Sequence, residues 1–175
     1  TRIYTRPLTR VAASLWVYDN IPPGSTIGWE EWDDIIPWGG VGGRNGYAEG
    51  IYSDVKFQPY HEDVPEKLDW FIDWLDRADY IILSSNRLYG SIPRLPMRYP
   101  MTTRYYKYLF SGELGFELIK TFTSHPNLGP IEINDDNAEE VFTVYDHPKV
   151  LIFKKTARYS PEKARKLLGE GIDWD

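Results

Sequence analysis

The stretch that decides the fold reads ADYIILSSNR and runs from Ala78 to Arg87. Its centre, from Tyr80 to Leu83, is an unbroken apolar run that a helical pattern precedes and Ser-Ser-Asn follows. Such a run is typical of a strand that is buried on both faces, and therefore central in a sheet that helices flank. Ligands of open α/β sheets bind beyond the carboxyl ends of these strands. The loop after Leu83 is therefore the first place to expect a bound ligand.

The residues before this strand predict two helices and two short strands. A first helix with apolar residues at helical spacing ends at the Pro-Pro-Gly sequence of 21–25, and strands are expected at 26–29 and 51–57. Asp63 is expected to cap the second helix. The predicted apolar faces consist of Leu8, Val11, Ala12, Leu15 and Trp16 in the first helix, and of Leu68, Phe71, Ile72 and Leu75 in the second.

The residues after the strand predict a proline-rich loop, a third helix, more strands and a last helix. Pro93, Pro96 and Pro100 favour a fixed, extended loop. The third helix is expected to begin at Thr102 or Thr103 and to end at Gly112 or Gly115. The remaining elements are a strand nearer an edge at 116–123, an antiparallel hairpin of 141–145 and 149–155 joined by Asp146-His147-Pro148, and a helix from Ser160-Pro161-Glu162 to Gly169.

These elements predict one α/β domain over residues 1–175: a three-layer sandwich with a mixed sheet, parallel at its centre, and a C-terminal antiparallel hairpin. The order of elements is Rossmann-like, but the dinucleotide fingerprint is missing. In the glycine-rich loop at 38–46, Asn45 stands where the third glycine belongs and no helical pattern follows. A mobile surface loop is expected there, and no cofactor is predicted.

Composition excludes several classes of function. The formal charge of −6 argues against nucleic-acid binding, which needs a basic surface. No apolar run approaches the roughly 20 residues that span a bilayer, so a water-soluble domain is expected. The chain has no cysteine, and no two of its three histidines have metal-ligand spacing, so neither a disulfide nor a metal site is predicted. The first residue is Thr rather than Met, which favours a fragment of a longer protein.

A basic, tyrosine-rich stretch at 87–108 is the best candidate for anion binding. It carries no acidic residue, and the planar fork of arginine suits a phosphate or a carboxylate. The alternative is that these cations pair with the acidic patches at 30–34 and 135–140 and are structural. The candidate residues for an anion or a lipid headgroup are Arg87, Arg94, Arg98, Arg104 and Lys107.

A second candidate site lies in the segment from Trp29 to Trp38, where aromatic residues alternate with carboxylates. Aromatic rings stack on the C–H face of a sugar, and carboxylates accept hydrogen bonds from its hydroxyls. The candidate sugar contacts are Trp29, Trp32, Trp38, Glu30 and Asp33. A carboxylate pair would also suit glycoside hydrolysis, whereas a solvated loop is the simpler interpretation.

No G-x-S-x-G sequence surrounds Ser84 or Ser85, so no catalytic residue is predicted.

Several stretches together resemble a known family. They are Thr9–Ser14 running into Ile21-Pro22-Pro23-Gly24-Ser25, then Ala78–Pro96, and the segment Val144–Lys155 with its Tyr-Asp-His-Pro turn. They are similar to the C-terminal soluble region of bacterial polytopic membrane glycosyltransferases of family 39, relatives of the protein O-mannosyltransferases. The resemblance covers most of the chain, and the hairpin is its more distinctive part.

The resemblance implies a parent enzyme that moves a sugar from a polyprenyl-phosphate carrier to an acceptor on the extracytoplasmic face of the membrane. The catalytic acids of such enzymes lie in a loop between membrane helices that this chain does not contain. The implied role is therefore non-catalytic: to contact the membrane domain of the same chain, the acceptor or the carrier headgroup. A stand-alone carbohydrate-binding module and a soluble enzyme on a nucleotide-binding-like sheet are the alternatives.

Overall fold

A computed structural model describes residues 9–123, 127–128, 131–132 and 149–175. The α-helices are α1 (Thr9–Asn20), α2 (Pro65–Arg77), α3 (Arg87–Ser91), α4 (Pro100–Ser111) and α5 (Pro161–Gly169). The strands are β1 (Thr26–Glu30), β2 (Ser53–Phe57), β3 (Tyr80–Leu83), β4 (Phe116–Phe122), β5 (Asn127–Leu128), β6 (Ile131–Glu132) and β7 (Val150–Lys155). Two short 3₁₀ helices cover Val41–Gly43 and Ile92–Arg94.

Five strands form the main sheet in the order β2-β1-β3-β7-β4, which confirms the predicted three-layer α/β fold. β1 pairs in parallel with β2 and β3, and β7 pairs antiparallel with β3 and β4. β3 lies at the centre with all four residues buried, as its apolar run predicts. β4 is an edge strand, also as predicted.

The sheet has one hydrophobic core on each face. Helices α2, α4 and α5 pack over one face, around Phe57, Phe71 and Tyr105. Helix α1 and the segment after β1 cover the other face, around Val17 and Ile152. Every residue of the predicted α2 stripe is buried, which confirms it. In the described part of the chain, no helix has both the length and the apolar character needed to cross a membrane.

Helix α1 is confirmed, but its predicted apolar face is only partly correct. Val11, Ala12 and Trp16 are partly buried, and Leu8 lies outside the described residues. The buried side chains of α1 are Thr9, Arg10, Ala13, Ser14 and Val17. Polar residues are accommodated on this face because they find partners: the Ser14 hydroxyl donates to the Arg10 carbonyl at 2.7 Å and accepts from the Trp38 amide at 2.9 Å. The predicted Leu15 is instead exposed.

Asp63 does not cap α2, which is a second correction. The N-cap residue of α2 is Val64, and its side chain makes no capping hydrogen bond. The Asp63 carboxylate instead accepts hydrogen bonds from the Met101 and Thr102 amides, at 2.6 and 3.0 Å, and so caps α4. A cap that lies 38 residues away in the sequence cannot be recognised from local spacing.

The loop after β3 is not extended as predicted, because its first half is helical. Leu88 and Ile92 lie four residues apart and are both buried, so a helical turn suits this segment better than an extended chain. Pro93 is accommodated in the first turn of the 3₁₀ helix, where no backbone donor is needed.

The remaining boundaries agree closely with the predictions. Helix α4 begins at Pro100, two residues before the predicted start, and ends at Ser111. Gly112 follows it as the C-cap residue, and its φ of +82° is the left-handed conformation that glycine favours. Ser160 caps α5 by accepting from the Lys163 amide. The first strand of the predicted hairpin, at 141–145, lies outside the described residues, and β7 is paired on both edges by β3 and β4.

Candidate functional site

The carboxyl ends of β1 and β3 bring several predicted site residues together. The two strands are parallel neighbours, so the segments that follow them leave the sheet at the same edge. The Ser85 hydroxyl donates to the Asp33 carboxylate at 3.0 Å, and the Arg87 guanidinium donates to the Trp32 carbonyl at 2.8 Å. We call this group of residues, from 30–34 and 84–87, the carboxyl-edge cluster.

Arg10 of α1 pairs with two acidic residues of the carboxyl-edge cluster. Its guanidinium lies 2.9 Å from the Asp34 carboxylate and 3.8 Å from that of Asp33. The side chain of Asp33 is almost completely buried, so its oxygens face this network and not solvent. Arg10 was not among the predicted site residues, because its acidic partners lie more than 20 residues away in the sequence.

Glu30, a predicted sugar contact, is a buried residue of the cluster. The Tyr106 hydroxyl of α4 donates to its carboxyl group. The pKa of Glu30 is raised to about 8, mainly by burial; the hydrogen bond from Tyr106 opposes this rise, and the nearby charge of Asp33 adds to it. Glu30 is therefore a neutral carboxylic acid at neutral pH, and it joins β1 to α4.

The three predicted tryptophans lie in separate environments. The Trp29 indole donates to the Asp54 carboxylate at 2.8 Å and ties β1 to β2. Trp32 is 65% exposed and has a left-handed backbone with φ of +75°, which is uncommon for a residue other than glycine. Trp38 alone of the three lines a described cavity. The tryptophans therefore do not form a single flat platform.

A concave site lies beside Trp38, in the glycine-rich segment that follows β1. It has a volume of about 400 Å³. Trp38 and Tyr47 supply its aromatic surface, and the exposed Asn45 supplies an amide. We call it the Trp38 pocket. It is lined by Ile35, Pro37, Trp38, Gly39, Asn45, Gly46, Tyr47 and Ala48.

Hydrogen bonds from α1 hold the loop that forms this pocket. The Tyr18 hydroxyl accepts from the Gly46 amide at 2.9 Å and lies 3.1 Å from both the Trp38 and the Arg44 carbonyls. The Tyr47 hydroxyl donates to the Ile36 carbonyl at 2.6 Å. The glycine-rich sequence is thus a braced loop with a fixed path across the surface of α1.

Gly39 permits the close packing of this loop. A β-carbon at Gly39 would lie 2.5 Å from the Asn45 side-chain oxygen, which is too close for any side chain without a shift. The glycine therefore allows Asn45 to sit against the backbone beside Trp38. Glycine at position 39 therefore allows two chain segments to approach each other closely.

We expect Tyr18→Phe to lower the free energy of unfolding by about 1–2 kcal/mol, because the Gly46 amide would lose its acceptor. Urea denaturation measures this loss. The amide of Gly46 should also exchange its hydrogen faster in the variant. Tyr108→Phe is the control, since the Tyr108 hydroxyl makes no hydrogen bond to a described residue. Equal stability of the Tyr18 and Tyr108 variants would contradict the bracing role.

The predicted cationic residues do not converge on one anion site. The Arg87 guanidinium belongs to the carboxyl-edge cluster, and that of Arg104 donates to the Glu170 carbonyl at 2.7 Å, at the end of α5. Lys107 lies over the ring of its neighbour Tyr108. Only Arg94 and Arg98 share a loop, and both are exposed. The acidic patch at 135–140, proposed as their structural partner, lies outside the described residues.

No metal site is found in the described ranges, where no group of three His, Asp or Glu side chains is placed to hold an ion. His61 is exposed in a turn, and its ring contacts Trp70. His125 and His147 lie outside the described residues.

Comparisons with protein-family models, with curated proteins and with solved structures find no match to this chain. The resemblance to family-39 glycosyltransferases therefore stays a prediction.

Proposed function

We propose that this chain is a non-catalytic, sugar-contacting domain of a polyprenyl-phosphate-sugar-dependent membrane glycosyltransferase. The observation that carries the sugar contact is the Trp38 pocket, in which two aromatic side chains and an exposed amide lie around one concavity. The resemblance to family-39 glycosyltransferases supports a membrane glycosyltransferase as the parent enzyme. The sugar would belong to the acceptor or to the lipid-linked donor.

The chemistry of the pocket suits a sugar ring. The apolar C–H face of a pyranose packs on an aromatic ring, and its hydroxyls need hydrogen-bonding partners. Trp38 and Tyr47 offer the rings, and the Asn45 amide offers two donors and an acceptor. The volume of about 400 Å³ lies within the range of small-ligand sites. A braced loop also lowers the entropic cost of binding, because it is already ordered.

The lining of the pocket supports binding without catalysis. No carboxylate or histidine is among its lining residues, and glycosidases need a pair of carboxylic acids beside the sugar. Two of the carboxylates considered for that chemistry, Glu30 and Asp33, are buried and bonded to Tyr106 and Ser85. Hydrolysis by Glu30 and Asp33 would require both to leave these partners.

A stand-alone carbohydrate-binding module is the second candidate, and the same pocket favours it equally. The two functions differ in the native chain. A glycosyltransferase parent would be far longer than 175 residues and would stay in membranes through an alkaline carbonate wash. Immunoblotting of fractionated source cells separates them, because a module would give a carbonate-soluble band near 20.4 kDa.

We expect Trp38→Ala to weaken glycan binding by more than about tenfold, since buried aromatic anchors dominate the energy of most binding sites. Isothermal titration calorimetry with a panel of mannosides, glucosides and N-acetylglucosaminides measures this change. Trp32→Ala is the matched control, because Trp32 is more exposed but does not line the pocket.

Three outcomes would count against the pocket. Wild-type protein that binds no glycan of the panel would remove the sugar proposal. Loss of binding in Trp32→Ala but not in Trp38→Ala would move the site to the carboxyl-edge cluster. Equal loss in both variants, with lowered stability, would indicate a general effect on the fold.

A further inference from the structure

The loop between α3 and α4 presents apolar side chains to solvent beside arginines. Met97 is 96% exposed and Leu95 is 51% exposed. Arg94 and Arg98, which are also exposed, flank them in the sequence. We call residues 94–98 the Met97 loop.

Buried residues and backbone hydrogen bonds hold the Met97 loop in place. Ile92 and Tyr99, just before and just after it, are both buried in the larger core. The Leu95 amide donates to the Ile92 carbonyl at 2.9 Å. The Arg98 and Tyr99 amides both donate to the Leu95 carbonyl, at 3.0 and 2.9 Å. The exposure of Met97 and Leu95 is therefore built into an ordered turn.

The sequence that contains the Met97 loop is basic, although the chain as a whole is acidic. From Arg87 to Gly112 the sequence has no acidic residue, whereas the complete chain has a net charge of −6. Arg98 lies 3.9 Å from the Glu62 carboxylate, and both side chains are largely exposed. Such an exposed pair contributes little, so the arginine stays available to another anion.

We propose that the Met97 loop docks on an anionic lipid bilayer, with Leu95 and Met97 entering the headgroup boundary while Arg94 and Arg98 contact lipid phosphates. Apolar side chains flanked by basic ones match the layered polarity of that boundary. Two side chains are too few for a stable protein interface, which buries roughly 800 Å² on each partner. The proposal uses no residue of the Trp38 pocket, so it stands or falls independently of sugar binding.

The docking is reversible and depends on salt. Each arginine contributes about a fivefold gain in binding to an anionic surface, and that gain falls as salt screens the charges. The apolar pair adds a contribution that salt does not screen. We therefore expect measurable binding to anionic vesicles at low salt, and weak binding to neutral ones.

A single-cysteine label tests where the chain meets the bilayer. The chain has no cysteine of its own, so Met97→Cys gives one labelling site for an environment-sensitive dye. Ala157→Cys is the control, because Ala157 is exposed and follows β7, at the edge of the sheet opposite to the carboxyl end of β3. The vesicles contain phosphatidylcholine with or without 30% phosphatidylglycerol.

The expected result is a blue shift of the dye at position 97, with anionic vesicles only, and no shift at position 157. If the protein sediments with anionic vesicles but the dye at position 97 shows no shift, the proposal is overturned, because a different surface of the protein then contacts the bilayer. Absence of sedimentation at low salt would overturn it as well.

Two paired variants separate the contributions of charge and insertion. Arg94→Ala with Arg98→Ala should lower vesicle binding by about 25-fold at low salt. Leu95→Ser with Met97→Ser should lower it at all salt concentrations. Both pairs are exposed, and unchanged thermal unfolding verifies the fold. The lipid assignment would be overturned if the protein bound poly-glutamate as tightly as it binds vesicles and the serine pair did not weaken that binding. An acidic protein would then be the partner.

Discussion

Replacing Lys67 with Met is expected to lower the free energy of unfolding by about 3–5 kcal/mol, as is typical when one partner of a buried ion pair is removed. The side chain of Lys67 is completely buried. Its ammonium donates to the Pro59 carbonyl at 2.8 Å, to the Asp63 carboxylate at 2.7 Å and to the Thr102 hydroxyl at 2.7 Å. The His61 carbonyl is a fourth acceptor, so one of the three N–H groups is shared between two oxygens.

The expected loss of stability is large because the substitution leaves a buried negative charge without its partner. Asp63 would keep its hydrogen bonds to the start of α4 but would be a buried carboxylate without a cation. The loop before α2 would lose the group that fixes two of its carbonyls. The Lys67 network thus joins the start of α2 to the start of α4, which sets the position of the Met97 loop between α3 and α4.

Arg77→Met provides the control within the same helix. Arg77 pairs with Asp73 at 2.9 Å, also with i,i+4 spacing, but both side chains are exposed, so the expected loss is below about 0.5 kcal/mol. Urea denaturation measures both variants. A loss of less than about 1 kcal/mol for Lys67→Met would contradict the role of this network.

The second large effect concerns pH and Glu30. Its pKa is about 8 in the folded protein, raised mainly by burial, against a usual value of 4.5. Between these values the folded protein holds a proton that the unfolded chain has released. Stability therefore falls as pH rises, by up to about 1.4 kcal/mol per pH unit, and levels off above about pH 8.

Glu30→Gln is expected to remove this loss. Glutamine stays neutral at every pH and still offers an oxygen to the Tyr106 hydroxyl. The difference in unfolding free energy, variant minus wild type, should therefore rise from pH 5 to pH 8. Chemical denaturation at a series of pH values measures it, and Glu117→Gln, an exposed residue of β4, controls for the loss of one negative charge. A flat difference would mean that Glu30 is already ionised in the folded protein.

Local patterns in the sequence predicted most of the fold. The apolar run at Tyr80–Leu83 predicted the central strand, and the stripe of α2 predicted its buried face. Ser160 and Gly112 marked helix ends because capping depends on residues close in sequence. The buried face of α1 was mispredicted at Arg10 and Ser14. These residues are buried because Arg10 forms an ion pair with Asp34 and Ser14 accepts a hydrogen bond from the Trp38 amide, and helical periodicity does not encode such long-range interactions.

The candidate sites were predicted less well, for the same reason. The tryptophans of 29–38 are adjacent in sequence, yet strand geometry and turns direct them to different places. The pocket at Trp38 forms because Tyr47 and Asn45 lie beside it in the folded loop. This loop is held by a hydrogen bond from the Gly46 amide to the hydroxyl of Tyr18 in α1, 28 residues earlier in the sequence. The cations of 87–108 are likewise dense in sequence but divided among a strand end, a loop and a helix. Composition indicated what chemistry was available, and only the tertiary fold determines which groups meet.

The most direct test of sugar contact is a ¹⁵N–¹H NMR titration that follows the indole signals of the seven tryptophans during addition of each glycan. We predict that one glycan class shifts the Trp38 indole signal together with the Gly46 and Tyr47 amide signals, and leaves the Trp32 indole signal unchanged. A shift of Trp32 alone, or no shift in the Trp38 pocket with any glycan at millimolar concentration, would contradict it.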